Sequence, residues 1–282
     1  IMGNAQEAAK WYAKAAAQGE LAAQRALAAC YAAGTGTKQD DAKAAEWYRK
    51  AADQGDADSQ YSLALCLAEG KGVVKNAQEA ASWYRKAVEQ GNAAAWLKLG
   101  ACLAKGEGVE KDEAQAVDCY RKAALQGNTD AMFALAVCCE KGVGVAKNGE
   151  EALNWYRKAA DQGNVTAQYS VGLCFAKGVG TAKDESQAVA WYRKAAAKDD
   201  ASAQCALGLC YAKGMGVAKD DKESVKWFLK AAGQGNAVAQ YCLGVCYDKG
   251  LGVAKNPATA TEWYRKAADQ GNPNAQKALE KR

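Results

Sequence analysis

The chain has 282 residues, half of them hydrophobic, with a formal net charge of +5 and no histidine. No run of about 18 apolar residues occurs, which excludes a membrane-spanning helix, and no basic-then-apolar signal segment opens the chain. Ser-His and Cys-His catalytic pairs are excluded, and the modest positive charge does not require a nucleic-acid partner. We therefore do not expect an enzyme.

The pair Trp-Tyr returns every 36 residues along the chain. Its copies are Trp11-Tyr12, Trp47-Tyr48, Trp83-Tyr84, Trp155-Tyr156, Trp191-Tyr192 and Trp263-Tyr264, with Cys119-Tyr120 and Trp227-Phe228 as altered copies. A fixed period of roughly 20 to 50 residues is typical of a solenoid, in which each unit buries its apolar side against its neighbours. The period predicts a single all-α solenoid domain over residues 1–282.

In chain order, residues 1–19 form half a repeat that contains only a second helix, near 4–18. Asn4 and Glu7 have the spacing of a capping box at its start. Seven full 36-residue repeats occupy 20–271, and a partial capping helix follows at 272–282. The pattern predicts about 15 helices in all.

The first helix of each full repeat has the pattern A-Q-x-x-L-G/A-x-C-Y, which places its repeating residues on one broad helical face. It ends at the first glycine of a G-x-G loop, such as Gly250, where a left-handed residue is needed. The small residue after leucine, such as Gly244, indicates that two helices meet where no Cβ fits. We expect the tryptophan of the facing second helix to fill that space.

The second helix of each repeat begins after Asn or Asp, three residues before Glu or Gln, which is the spacing of a capping box. These pairs are Asn76 with Glu79, Asp112 with Gln115, Asn148 with Glu151, Asp184 with Gln187 and Asp220 with Glu223. Pro257 and Pro273 each stand at a first helical position, where their missing N–H costs nothing. The second helices end at glycine, except that Asp199 takes its place in one repeat, which predicts a local irregularity there.

These residues together resemble the Sel-one-like repeat (SLR) family, a relative of the tetratricopeptide repeat. The resemblance rests on A-x-A-Q-x-x-L-G-x-x-Y, then G-x-G-V-x-K-D, then A-x-x-W-Y-x-K-A-A-x-Q-G, and it covers essentially the whole chain. It implies a right-handed α/α superhelix of antiparallel helix pairs with the first helices lining the concave side. It also implies an adaptor that holds protein complexes together.

The chain has 11 cysteines, and seven recur at one repeat position. These are Cys30, Cys66, Cys102, Cys138, Cys174, Cys210 and Cys246. We expect them to be reduced, buried, small hydrophobic residues rather than redox or metal sites, because each lacks a partner within its own repeat. A cysteine-rich branch of the family links each helix pair by a disulfide, and this spacing departs from that plan. Free thiols favour a cytoplasmic, reducing compartment, with a periplasmic or secreted location left open.

The loop 142–148, G-V-G-V-A-K-N, has two glycines and a lysine before a helix, as phosphate-binding loops do. It lacks the G-K-S/T ending and a preceding strand, and the same loop recurs along the chain. We therefore interpret it as a helix-terminating linker. No cofactor and no metal site is expected. With no histidine in the chain, neither Cys242 with Cys246 nor the adjacent Cys138 and Cys139 indicates a zinc site.

A second face of each first helix varies from repeat to repeat, and we call it the first-helix surface. By the resemblance it is the concave groove, and its aromatic, aliphatic and lysine side chains favour binding of a protein or peptide partner. Its candidate residues are Tyr61, Leu65, Leu97, Lys105, Phe133, Lys141, Tyr169, Leu173, Lys177, Leu209, Lys213, Tyr241 and Lys249. In the alternative interpretation these residues only pack against the adjacent first helix.

The leading hypothesis is a non-enzymatic scaffold, expected to be monomeric, that grips a partner segment around Phe133 and Tyr169. A helical-repeat reader of single-stranded RNA is the second hypothesis, with aromatics stacking on bases and lysines on phosphates. The modest pI near 8.5 and acidic residues such as Asp58 in the same groove argue against it. A small-molecule or glycan binder is the third.

Overall fold

The computed structural model describes residues 2–281, which form two compact units that divide between Lys147 and Asn148. Sixteen α-helices and no strand occur among these residues, one helix more than the approximate number predicted. Six helix pairs, three within each unit, account for twelve of them. The all-α fold class is therefore confirmed. Within the described range, every helix is too short or too polar to cross a bilayer.

Unit 1, residues 1–147, contains α1 to α8, and unit 2, residues 148–282, contains α9 to α16. Unit 1 comprises α1 (Met2–Ala17), α2 (Leu21–Ala33), α3 (Asp41–Asp53), α4 (Ala57–Glu69), α5 (Ala77–Glu89), α6 (Ala93–Lys105), α7 (Glu113–Leu125) and α8 (Thr129–Lys141). Unit 2 comprises α9 (Gly149–Asp161), α10 (Val165–Lys177), α11 (Glu185–Ala196), α12 (Ala201–Lys213), α13 (Asp221–Gly233), α14 (Ala237–Lys249), α15 (Pro257–Asp269) and α16 (Pro273–Glu280). Even-numbered helices are first helices and odd-numbered ones are second helices.

Helix starts follow the predicted capping residues in the full repeats. The side chain of Asn76 accepts the backbone N–H of Glu79, and that of Asp184 accepts the N–H of Gln187. A side-chain oxygen there satisfies one of the backbone donors that a helix leaves free at its start. The prediction for Asn4 was wrong, because α1 already begins at Met2 and Asn4 lies inside its first turn.

In the four pairs whose first helix has glycine at the small position, a ring of the second helix packs against that glycine. A Cβ on Gly172 would lie 2.5 Å from the ring of Tyr192, and one on Gly208 would lie 2.5 Å from the ring of Phe228. The predicted close approach is thus confirmed, but the predicted tryptophan filler was wrong. The second aromatic of the pair fills the space, because its ring and not that of the preceding tryptophan meets the glycine.

The second glycine of each loop is the contact through which successive repeats stack within a unit. A Cβ on Gly216 would clash with the carbonyl of Glu185, the first residue of the preceding second helix, and Gly72 lies in the same way against Asp41. The first loop glycine, such as Gly214, has only ordinary contacts and ends the helix in the left-handed region at φ 72°. The first glycine therefore ends the helix, and the second allows the close contact with the preceding repeat.

Asp199 occupies the left-handed region with φ 61°, at the junction where other repeats have glycine. The helix before it, α11, has 12 residues where the other second helices of the full repeats have 13. Lys198, which stands where other repeats have glutamine, reaches back to the carbonyl of Gly163 at 3.3 Å. The predicted irregularity is confirmed, and it is confined to this helix end.

Candidate functional site

The first-helix surface is half-buried along its aromatic and aliphatic positions. Tyr61, Leu65, Leu97 and Phe133 in unit 1 are each partly accessible. In unit 2 the same holds for Tyr169, Leu173, Leu209 and Tyr241. Core residues of the same helices, such as Leu63, are fully buried, so the two faces of each first helix are physically distinct.

The tyrosines of this surface pack on the inward-facing tyrosines of their own repeats. The ring centroids of Tyr61 and Tyr84 lie 6.0 Å apart, and those of Tyr169 and Tyr192 lie 5.7 Å apart, both in tilted arrangements. Burial raises the pKa of the Tyr169 phenol, and burial together with nearby Glu69 raises that of Tyr61. Each ring is thus held rigidly on one side and remains accessible on the other.

The lysines of this surface are exposed and end the first helices. They are Lys105, Lys141, Lys177, Lys213 and Lys249. A cation in the last turn is favoured by the helix dipole, which gives these lysines a structural role whether or not a ligand binds. Lys105 also lies 3.6 Å from the carboxylate of Glu107.

Three of the candidate residues come together in unit 2. Tyr169 and Leu173 of α10 and Leu209 of α12 line one cavity of about 250 Å³. Its remaining walls are supplied by the second helix α11, by the two loops beside it and by Ala176, Ala206 and Cys210 of the same first helices. The other candidate residues are not brought into this cavity.

Sequence reasoning missed eight lining residues, of which Tyr192, Lys183, Glu185 and Met215 have the largest or charged side chains. The Nζ of Lys183 lies 2.7 Å from a carboxylate oxygen of Glu185, and both side chains are partly exposed. These residues lie on the second helix or in the G-x-G loops, which the sequence analysis assigned to packing and to chain reversal. The recurring lysine of the loop was the one available signal, and the recurrence of the loop favoured a helix-terminating linker.

The recurring cysteines do not all follow the burial prediction. All of them are free thiols, and Cys174, Cys210 and Cys246 are buried as expected. The prediction was wrong for Cys30, Cys66, Cys102 and Cys138, which are only half-buried. Burial raises the pKa of the Cys246 thiol to about 11. Among the described residues, no group of three or more Cys, Asp or Glu side chains could hold a metal ion.

The second helices carry a repeating contact between tryptophan and the exposed lysine three residues later, and we call the side that carries these lysines the outer side. The Nζ of Lys86 lies 3.9 Å from the ring centroid of Trp83, and that of Lys194 lies 3.7 Å from Trp191. In the repeat where Cys119 replaces tryptophan, Lys122 instead lies 4.3 Å from the ring of Trp96 on α6. This contact recurs in every repeat that has the lysine and ring, so it belongs to the scaffold rather than to a unique site.

Comparison with known families agrees with the period and with the helix pairs. The Sel1 repeat model matches eight consecutive segments, at residues 1–20, 21–56, 57–92, 93–128, 129–164, 165–200, 201–236 and 237–272. The chain belongs to the Sel1 repeat family. The resemblance identified from the sequence is thereby confirmed. Sel1 repeat proteins are generally protein-interaction scaffolds, and the fold is typically non-enzymatic.

Solved Sel1 repeat structures are similar over nearly the whole chain. A protective antigen of uropathogenic Escherichia coli with an SLR fold is 36% identical with a TM-score of 0.89, over 95% of this chain and 57% of its own. A Sel1 repeat protein from Oxalobacter formigenes is 34% identical with a TM-score of 0.80, over 100% of this chain and 81% of its own. This chain therefore spans little more than half the length of the antigen. No curated protein sequence matches the chain.

Yeast Tom70 is similar in fold alone, at 13% identity and a TM-score of 0.53, over 96% of this chain and 58% of its own. The all-α solenoid that the period predicted is confirmed by the two Sel1 repeat structures together with the sixteen helices of the described residues.

Proposed function

We propose that this Sel1 repeat protein is a non-enzymatic scaffold that binds an extended or helical segment of a partner protein along its first-helix surface. One observation carries the proposal. The core face of each first helix repeats almost unchanged, whereas the half-buried face beside it changes residue type from repeat to repeat. Packing fixes the repeating face, so the variable and accessible face is free to select a partner.

The tyrosines suit this role because they combine a large contact area with few rotatable bonds. Tyr169 is held against Tyr192 and lines the cavity with Leu173 and Leu209. Aromatic anchors that enter or border pockets dominate the free energy of many protein interfaces. A partner therefore gains affinity from a ring that loses little conformational freedom on binding.

Single-stranded RNA is the competing ligand for the same surface. Asp58 interrupts that surface, and it is held 3.2 Å from the guanidinium of Arg25 and 3.0 Å from the amide of Asn92. The same guanidinium also lies 3.2 Å from Asp56, so one cation is shared by two carboxylates and the cluster keeps a net negative charge. A phosphate backbone would be repelled there, so a protein partner is favoured. Salt titration separates the two ligands, because RNA binding falls steeply with added salt.

The test begins with capture of the partner from the native source on the immobilised chain, followed by mass spectrometry. Isothermal calorimetry then compares the wild type with Tyr169→Ala for the captured partner. We expect the variant to weaken binding by about 2–4 kcal/mol if the ring is an anchor. Phe133→Ala, measured separately in the same way, tests the corresponding position of unit 1.

The matched control is Tyr211→Ala on α12, which also removes a half-buried tyrosine. The Tyr211 hydroxyl accepts a hydrogen bond from Arg193 at 2.9 Å. We expect it to leave the affinity unchanged within about 0.5 kcal/mol. Urea unfolding of each variant supplies the stability. If Tyr169→Ala lost as much stability as affinity, Tyr169 would belong to the core and the proposal would fail.

A further inference from the structure

The cavity of unit 2 has an apolar floor and a charged margin. Tyr169, Leu173, Leu209 and Met215 are among its apolar walls, and its volume is about 250 Å³. Pockets for drug-sized ligands and cofactors usually exceed roughly 300 Å³. The size therefore suits one large apolar side chain rather than a separate small molecule.

The margin of the cavity is predominantly cationic. Lys177 follows Leu173 by one helical turn and Lys213 follows Leu209 by one turn, so each exposed lysine shares a helix face with a cavity wall. Lys183 adds a third ammonium group, and Glu185, with which it is paired at 2.7 Å, is the one carboxylate among the lining residues. A ligand beside the apolar floor therefore meets more positive than negative charge.

We propose that this cavity takes a large apolar side chain of the partner segment, and that acidic residues next to that side chain contact Lys177 and Lys213. The inference rests on the proposed function and specifies the chemistry of the partner, an acidic segment with an apolar anchor. Charge complementarity at the margin sets the preferred orientation and the association rate, and filling of the cavity supplies most of the contact area.

Unit 1 shows what the same place looks like without these features. On α4, Tyr61 and Leu65 occupy the positions of Tyr169 and Leu173, but the exposed Glu69 stands where α10 has Lys177. A carboxylate there would repel an acidic segment. The end of α4 therefore has the same helix geometry with the opposite charge, whereas α6 and α8 of unit 1 carry Lys105 and Lys141 at that position.

The experiment pans a random-peptide display library against the full chain and against its Ala206→Phe variant. Ala206 lines the cavity at a half-buried position of α12, and the added ring would fill it. The matched control is Ala134→Phe, which makes the same change at the equivalent half-buried position of α8. We expect the wild type and the control to enrich an apolar residue followed by acidic residues, and Ala206→Phe to lose that enrichment.

A second pair of variants tests the charges without touching the apolar walls. Lys177→Gln with Lys213→Gln should lower the affinity for the enriched peptide about threefold to tenfold, as measured by fluorescence anisotropy at low salt. Lys105→Gln with Lys141→Gln removes the same charge from equivalent exposed helix ends of unit 1 and should change the affinity less than about twofold.

The outcomes separate this inference from the proposed function. Enriched peptides that bind Ala206→Phe as well as the wild type, or peptides that are basic, would overturn the inference while leaving the first-helix surface as a binding face. Failure to enrich any peptide beyond an unrelated helical protein would count against both. Circular dichroism and the urea midpoint establish that each variant is folded before its peptides are compared.

Discussion

Units 1 and 2 are built from the same 36-residue repeat and share its scaffold. Gly108 in unit 1 and Gly216 in unit 2 lie against the first carbonyl of the preceding second helix, and Gly100 and Gly208 face rings of the second helix of their own repeats. Both units place lysine over tryptophan on the outer side. The scaffold contacts therefore do not distinguish the units.

Their surfaces differ in charge and in the cover over the recurring thiols. Unit 1 holds 18 Lys and Arg residues and 18 Asp and Glu residues, whereas unit 2 holds 19 and 14, so the whole net charge of +5 lies in unit 2. The recurring cysteines are half-buried in unit 1 and buried in unit 2. The units have the same residue types where packing fixes them, and they differ in residue type where packing does not.

The polarity of the loop residue five positions after each recurring cysteine correlates with the burial of that cysteine in six of the seven repeats. Its backbone N–H donates to the cysteine carbonyl, as Lys71 does to Cys66 and Met215 does to Cys210. In unit 2 this residue is always apolar, and Met215 lines the same cavity as Cys210. In unit 1 it is polar in three loops, and Val143 is the exception. An apolar side chain there can cover the thiol.

The largest expected effect tests whether the two units share their scaffold. Gly216→Ala forces a Cβ onto the carbonyl of Glu185, so we expect a loss of about 3–5 kcal/mol in the free energy of unfolding. Gly214→Ala is the matched control, since it also has φ near +72° but meets only ordinary contacts, and it should cost about 1–2 kcal/mol. Urea unfolding measures both.

The unit 1 pair Gly108→Ala and Gly106→Ala should show the same difference, because Gly108 meets the carbonyl of Ala77 in the same way. A difference present in one unit and absent in the other would break the claim of a common scaffold.

The next effect sharpens the contrast in thiol burial through its dependence on pH. Burial raises the pKa of Cys205 and of Cys246 from the ordinary 9.0 to about 11. Above pH 9 the unfolded chain loses these protons while the folded chain keeps them, so stability is full below pH 9 and falls as the pH rises towards 11. Each buried thiol should account for a loss on the order of 2 kcal/mol.

In the double variant Cys205→Ala, Cys246→Ala, the urea midpoint should therefore fall less between pH 8.5 and pH 10.5 than it does in the wild type. The control is the double variant Cys30→Ala, Cys66→Ala, which removes two half-buried thiols of unit 1. Its pH-dependent fall in urea midpoint should stay closer to that of the wild type. An equal change in the two double variants would contradict the assigned difference in burial.

The smallest expected effect concerns the outer contacts that the units share. Lys194→Gln and Lys86→Gln should each lose about 0.5 kcal/mol, because each removes a cation lying over an indole ring. Lys255→Gln, at an exposed loop lysine, should change the free energy of unfolding by less than about 0.2 kcal/mol. Unequal losses for Lys194 and Lys86 would show that the outer faces of the units also differ.

The repeating features of the fold could be predicted because they leave a periodic trace. The capping pair Asp184 and Gln187 and the left-handed Asp199 followed from local backbone chemistry, which depends on a few neighbouring residues. The facing residue of the tight contact could not be chosen in this way. Trp191 and Tyr192 are adjacent, and only their directions from the helix axis decide which one meets Gly172.

The candidate site was less predictable because it joins residues from neighbouring repeats. Helical spacing placed Tyr169 and Leu173 on one face, but the contribution of Met215 depends on how the next loop stacks. The pairing of Lys122 with Trp96 across two helices shows the same limit, since the sequence presents only two unrelated substitutions. Periodicity identifies which positions are free of the core and does not show which of them meet.

The most direct test of the account is hydroxyl-radical footprinting of the full chain with and without its captured partner. The central claim is that partners bind the first-helix surface and leave the outer side of the second helices free. We expect reduced oxidation at Tyr169, Leu173 and Leu209 in the complex, with half-buried Trp191 and Trp263 on the second helices oxidised as in the free protein. Protection of the two tryptophans with unchanged oxidation of Tyr169 would contradict the account.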